Sequence, residues 1–385
     1  MSTQVDLKKM KIAIVHAFFK CRGGAEKLIF EIRNYYHADL YAGALREDIF
    51  SPQKTEDSFS QELFNPKFKF EYLHKDGRIP ILLHLKRMFY WLFSRKIKQL
   101  ENYDLVIFSG NIFFAPRRIK KPKKVFYCNT PPRIFADRRE AMLAKLPAFL
   151  RPIYKLLSRV VLWQYKADLQ ACDLLISNSY NIQNRLRKYL NLESIPIYPA
   201  VDTRRFVYLS TGDYYLSHSR LEEAKRIPLI LEAFARMPDK KLVICSTGPL
   251  ESWVKQQIRE RNLKNIIFEG LVSQERLRTL VGNCLAGIVI PVDEDAGIVQ
   301  CELMAAGKPV IGVAEGGLLE TVIDGQTGFL LPPNPTVEDL VKLISNLDPE
   351  KLKSMRLACE QQAAKFSSEV FFTKLDRELS KLFNP

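Results

Sequence analysis

Lys11-Ile-Ala-Ile-Val-His16, followed by Gly23-Gly24 and then by Ala25 to Tyr36, is the stretch that decides the architecture. Its first six residues are nearly all apolar, as a strand buried on both faces must be. The two glycines close the loop after it. Ala25, Leu28, Ile29 and Ile32 then recur on one side of a helix. Strand, short loop and helix in that order begin a parallel sheet.

The pattern repeats outward. Leu105–Phe108, Lys124–Cys128 and Leu174–Asn178 read as further buried strands, separated by helical stretches at 85–100, 148–171 and 180–190. Tyr198-Pro-Ala-Val-Asp202 breaks the series, and a second one follows. Its strands are Tyr214–Ser217, Lys241–Cys245, Asn265–Phe268, Gly287–Pro291 and Pro309–Val313, with helices at 227–236, 250–262, 273–283 and 298–306. The expectation is α/β: two Rossmann-like domains, 1–206 and 207–367, their parallel sheets facing across a cleft. A final helix, within 368–385, is expected to pack back on the first domain.

A chain of 385 residues suits two cores. Seven scattered cysteines without a CxxC pair read as reduced thiols. Five histidines show no metal-ligand spacing, so neither a metal nor another cofactor is expected. No secretory signal or long apolar run stands out, which suits a cytoplasmic protein, peripheral on the inner face of a membrane. The net charge of +15 is lopsided: residues 1–206 hold 37 Lys/Arg and 19 Asp/Glu, a balance of +18, and the remainder hold 21 and 24, a balance of −3.

The densest chemistry is Glu294-Asp-Ala-Gly-Ile-Val-Gln-Cys-Glu302, followed by Leu303-Met-Ala-Ala-Gly-Lys-Pro-Val310. It follows the apolar strand at 287–291. Gly297 would open a helix and Gly307 with Pro309 would end it, placing Glu302 in the second turn. Each carboxylate can accept two hydroxyl hydrogen bonds, and helix-end amides beside them suit a phosphate. A solvated acidic loop before an ordinary helix would look alike locally. Ser219-Arg220-Leu-Glu-Glu-Ala-Lys225 adds two cations that can close on a diphosphate and stabilise its charge as it leaves; taken alone they read first as surface cations. Arg22-Gly-Gly-Ala-Glu26 could bring backbone close to a phosphate or simply make a tight turn.

Together these segments resemble the family 4 glycosyltransferases, whose signature is E-x-F-G-I-x-x-x-E followed by A-x-G-x-P-V. The resemblance covers essentially the whole chain, strongest from 198 to 330. It implies the GT-B fold, an N-terminal acceptor domain and a C-terminal domain for a nucleotide diphosphate sugar. It implies that Arg220 and Lys225 bind the donor phosphates, Glu294 a hydroxyl of the transferred sugar and Glu302 the ribose. Gly297 and Ile298 would face the sugar and diphosphate, Val272 the nucleobase, and Gly23 and Gly24 would lie over the diphosphate. Ala296 stands where the family usually has Phe. Tyr127-Cys-Asn-Thr-Pro-Pro-Arg133 is similar to the His-Thr-Pro-x-Arg segment of O-antigen and lipopolysaccharide mannosyltransferases, with Asn129 in place of a sugar-contacting His. Asn129 and Arg133 are therefore candidate sugar or acceptor contacts. His16 reads equally as a contact of that kind and as a core histidine.

The function implied is transfer of a hexose, with GDP-mannose the first expectation and UDP-sugars open, to a glycan or lipid-linked acceptor with retention at the anomeric carbon. Residues 81–98, mixing large apolar residues with cations, and the cluster Arg117–Lys124 suit an anionic membrane surface. No helix-turn-helix, RNP motif or zinc finger supports nucleic acid as a partner. The rival readings are a nucleotide-sugar epimerase on the same fold and a non-catalytic basic scaffold binding membrane or nucleic acid.

Overall fold

The structure, a computed structural model, describes residues 6–19, 23–46, 49–50, 58–67, 69–75, 94–112 and 114–383. The chain divides into two compact units, Met1–Tyr198 with Thr373–Pro385, and Pro199–Phe372. The sequence reading put these divisions at 206/207 and 367/368. Residues just after Pro199 go with the second unit because Val201 pairs with the segment around Ser367. Its N–H donates to Phe366 O (3.1 Å) and its carbonyl accepts from Ser368 N (3.1 Å).

Among the described residues, the first unit is built on seven parallel strands. These are β1 (Ile12–Phe19), β2 (Asp39–Leu45), β3 (Phe70–Lys75), β4 (Leu105–Ser109), β5 (Lys123–Cys128), β6 (Leu174–Ser177) and β7 (Ile195–Pro196), in the spatial order β3-β2-β1-β4-β5-β6-β7. The order reverses between β1 and β4, the point beyond whose carboxyl ends ligands of open α/β sheets bind. Val15, Phe108, Phe126, Tyr165 and Leu186 pack in the core beside it. Residues 373–385 join this unit through Asp376, which accepts from the Tyr35 hydroxyl (2.7 Å) and the Tyr36 hydroxyl (2.6 Å). Burial and then this carboxylate push the Tyr35 hydroxyl up to about 12.

The second unit carries β8 (Tyr214–Ser217), β9 (Lys241–Ile244), β10 (Ile266–Phe268), β11 (Ala286–Ile288), β12 (Val310–Val313) and β13 (Gly328–Leu331), all parallel, in the order β10-β9-β8-β11-β12-β13. Its reversal lies between β8 and β11. The helix Val299–Ala305 ends as expected at Gly307, whose φ of +66° is left-handed. Lys308 N donates to Leu303 O (3.0 Å) and Gly307 N to Met304 O (2.9 Å), which satisfies the last carbonyls.

Four strands, β2, β3, β7 and β13, lay outside the sequence reading. Of the helix expected at 85–100, residues up to 93 lie outside the described residues, and Arg95–Asn102 is a 3-10 helix. The six described cysteines are free, five of them buried. No helix among the described residues is long and apolar enough to cross a membrane.

Candidate functional site

In the second unit the reversal puts two loops side by side, the one after β8 and the one after β11. The first runs from His218 through Arg226. Leu221 anchors it in the core: its N–H donates to Thr247 O (3.1 Å) and its carbonyl accepts from Leu250 N (3.0 Å). Gly248 makes this approach feasible, since a Cβ there would lie 2.4 Å from Leu221 O. Arg220, beside that anchor, is exposed, with its Nε 3.9 Å from Glu222.

Arg226 stitches the two loops together. It adopts a left-handed conformation (φ 51°) just before the helix Ile227–Ala235. Its guanidinium donates to Ile290 O (3.0 Å), Pro291 O (2.8 Å) and Glu315 Oε1 (2.7 Å). Glu315 in turn accepts from Asp293 N (3.0 Å) and Asn334 N (2.7 Å), and Val292 N donates to Ala224 O (2.7 Å). A guanidinium fits this role because its planar fork can serve several acceptors at once.

Glu294 is held from beneath and from the side. Gly317 N donates to Glu294 O (2.8 Å), and a Cβ on Gly316 would lie 2.3 Å from that same oxygen. Glycines at 316 and 317 therefore let the backbone of 293–296 settle on them. Lys225 Nζ meets Glu294 Oε2 at 2.5 Å, both side chains about one-fifth exposed. This pair joins the loop after β8 to the loop after β11.

Gly297 has a φ of +76°, and buried Gln300 fixes the turn by donating to Ala296 O and Thr321 Oγ1, each at 3.0 Å. Ala296 is buried against Gly317. The helix starts at Val299 with Ile298 as its N-cap, two residues later than Gly297 as expected, so Glu302 sits in the first turn, not the second. Glu302 Oε2 lies 3.4 Å from Nε2 of His218, whose side chain is almost wholly buried. The sequence reading missed His218. Its signal was position, directly after a strand at the sheet's reversal. The reading also stopped one residue short of Arg226. Val272 is half-buried on the loop after the edge strand β10, two strands away from β8.

In the first unit, His16, Ser109 and Tyr127 stand level across β1, β4 and β5. Gly110, with φ +83°, lets the end of β4 approach Ala17: a Cβ there would be 2.8 Å from that of Ala17. Asn129 lies just past β5 and donates from Nδ2 to Ser109 Oγ (2.9 Å). His16 is buried, its ring edge-on to Phe19 at 4.9 Å. Arg133 donates from Nε to Asp137 Oδ2 (2.9 Å), and Arg185 lies 3.9 Å from the same oxygen. Gly23 is the N-cap of the helix Gly24–Tyr36. Its backbone is extended, a conformation that any residue adopts. Arg22 of that motif lies outside the described residues.

The basic stretches divide in a way their composition hid. Residues 81–93 lie outside the described residues. In the cluster 117–124, Arg117 donates to buried Asp168 (2.7 Å), and Lys124 donates to Pro116 O (3.3 Å) and Ile119 O (3.2 Å). Those two cations serve the fold. Among the described residues, no group of three or more His, Cys, Asp or Glu side chains is arranged to hold a metal.

Comparison with known proteins places these loops in context. Residues 203–366 match the family model described as Glycosyl transferases group 1. The chain is 25% identical over 334 residues to alpha-1,3/1,6-mannosyltransferase ALG2 of Dictyostelium discoideum, covering 73% of this chain and 76% of that one. It is 24% identical over 421 residues to the same-named protein of Saccharomyces cerevisiae, covering 89% and 79%. In three dimensions it resembles Alr3699/HepE of Anabaena in complex with UDP, with a TM-score of 0.74 at 19% identity over 97% of this chain and 100% of that one. The likeness in structure speaks for the fold.

Proposed function

We propose, from the premise that this chain is a family 4-like glycosyltransferase with the GT-B fold, that it transfers mannose from GDP-mannose to a glycan or lipid-linked acceptor, with retention at the anomeric carbon. One observation carries the donor assignment: at the reversal of the second sheet two contacts, Lys225 with Glu294 and His218 with Glu302, join the loop after β8, which also carries Arg220, to the segment after β11. The mannosyltransferase relatives favour mannose, and the UDP complex keeps a UDP-sugar as the second choice.

In this reading Arg220 and Lys225 meet the diphosphate as it leaves and takes on negative charge. Fixed cations there lower the barrier and make the reaction independent of a divalent metal. Glu294, oriented by Lys225 and by the Gly316-Gly317 floor, accepts from a hydroxyl of the sugar. Glu302 accepts from the ribose hydroxyls, steadied by His218. Val272 lies near the base, and Gly297 and Ile298 near the sugar and diphosphate. The leaving phosphate oxygen takes the acceptor's proton, so the acceptor attacks on the face the nucleotide leaves. Of the first unit's residues, Gly23 and Gly24 are the candidate diphosphate contacts, and His16, Asn129 and Arg133 the candidate sugar or acceptor contacts. A lipid-linked acceptor would bring the protein to the inner face of a membrane as a peripheral enzyme.

Incubation with radiolabelled GDP-mannose, UDP-glucose and ADP-glucose, with and without bacterial membrane lipids, tests this. Label passing from GDP-mannose into a lipid-extractable product supports it. Free or epimerised sugar with no acceptor product, or no consumption of any donor, overturns it.

A further inference from the structure

The helix Arg151–Gln170 buries only part of its circumference. Ser158, Tyr165, Asp168 and Leu169 face the core. Ile153 (64% exposed), Leu156 (63%), Leu157, Val160 and Trp163 (66%) face solvent, and Phe149 just before the helix is 75% exposed. At 3.6 residues per turn these five helical positions fall within an arc of about 120°. Together with Phe149 they expose an apolar patch on the order of several hundred Å2, more than isolated surface residues account for.

What borders the stripe indicates what covers it. Lys155, Arg159 and Lys166 lie along one edge, and none of the three has a carboxylate partner. Asp168, the one acid of the helix, is buried and paired with Arg117. Arg138, Arg139, Lys145 and Arg151 precede the stripe, with Glu140 the one acid among them. Large apolar side chains and an indole beside unpaired cations match the boundary of an anionic bilayer. There the apolar groups enter the acyl region and the cations extend to the headgroup phosphates. A protein partner or a second copy would need a matching acidic rim, and the first 206 residues of this chain carry a balance of +18.

We infer that this helix is the element by which the first unit docks on an anionic lipid surface. The inference deepens the lipid-linked acceptor of the proposed function and rests on it for the reason the protein approaches a membrane. It adds the face of 149–163 to the 81–98 segment and the 117–124 cluster of the sequence reading.

Vesicle co-flotation tests it with the whole chain. The wild type is expected to float with mixed phosphatidylcholine–phosphatidylglycerol vesicles at low salt and to be released by high salt. Pure phosphatidylcholine should bind at least about tenfold less. The double substitution Leu156→Glu and Val160→Glu should reduce binding at least about tenfold. Both positions are exposed, so circular dichroism should match the wild type; Leu357→Glu, at an exposed position of the second unit, should float like the wild type. Thermal stabilisation by GDP, read in the same samples, keeps the two proposals apart: its absence with flotation intact removes the donor reading and leaves the docking helix standing. The inference is overturned if the wild type fails to float at low salt, if it binds neutral vesicles equally, or if the double variant floats unchanged. It is also overturned if the wild type is a dimer that the double variant turns into a monomer.

Discussion

Gly316→Ala is expected to damage both stability and transfer, by an amount the structure lets one apportion. Two terms add. The first is backbone strain: at φ +55° a side chain costs about 1–2 kcal/mol. The second is contact. The new Cβ would stand 2.3 Å from Glu294 O, 2.8 Å from Glu294 N and 2.9 Å from Asp293 C, all backbone atoms of the loop that carries Glu294. No flexible side chain can yield there, so overpacking adds about 1–3 kcal/mol, for a total of about 2–5 kcal/mol. What relaxes is the Glu294 loop itself, and a displacement of about 1 Å at a reacting centre can lower turnover by about a hundredfold. Gly325→Ala is the control. Its φ is +74° and nothing lies within 4 Å of a Cβ there, so it should lose the strain term of about 1–2 kcal/mol and keep its activity. Urea unfolding of the two variants gives the difference in stability, and initial rates with the preferred nucleotide sugar give the difference in turnover. If Gly316→Ala matches Gly325→Ala in both, the Gly316-Gly317 floor does not position Glu294.

Three further expectations are independent of that one. His218→Ala should raise KM for the nucleotide sugar by roughly tenfold with a smaller change in kcat, because it loosens Glu302 without touching the diphosphate; equal KM values would remove His218 from the site. Burial pushes the Lys308 amine down to about 8, while the unfolded chain keeps the ordinary value of 10.5. Between those values the unfolded state binds more protons, so stability rises with pH: the wild type should gain roughly 3 kcal/mol relative to Lys308→Met from pH 8 to 10.5, and parallel pH profiles would contradict this. Transfer should persist in excess EDTA with unchanged rate, and a loss restored by Mg²⁺ or Mn²⁺ would show that Arg220 and Lys225 do not suffice for the leaving diphosphate.

What the sequence made legible follows from how local each signal is. β1 and β12 announce themselves as apolar runs, and the helix at 299–305 by its closing Gly307. β2 hid because Asp39-Leu-Tyr-Ala-Gly-Ala-Leu45 lacks β-branched residues, although all but Asp39 are buried. β13 hid because Gly328 made it look like the end of a loop. The site residues were visible as two motifs, but their pairing was not: Lys225 and Glu294 are 69 residues apart, and His218 and Glu302 are 84 apart. Only the placing of β8 beside β11 brings them together. Arg226 was overlooked for the same reason, since its acceptors lie on another strand's loop. The helix 151–170 was read as a helix, but which face it leaves bare depends on what packs against it.

Calorimetric titration of GDP into the wild type and into Glu302→Ala bears most directly on the claim that the loops after β8 and β11 hold a nucleoside diphosphate. One GDP per chain is expected, with affinity falling by about 10–100-fold in the variant as the charged acceptor of the ribose hydroxyls is lost. Binding of equal strength to both proteins, or to neither, would contradict it.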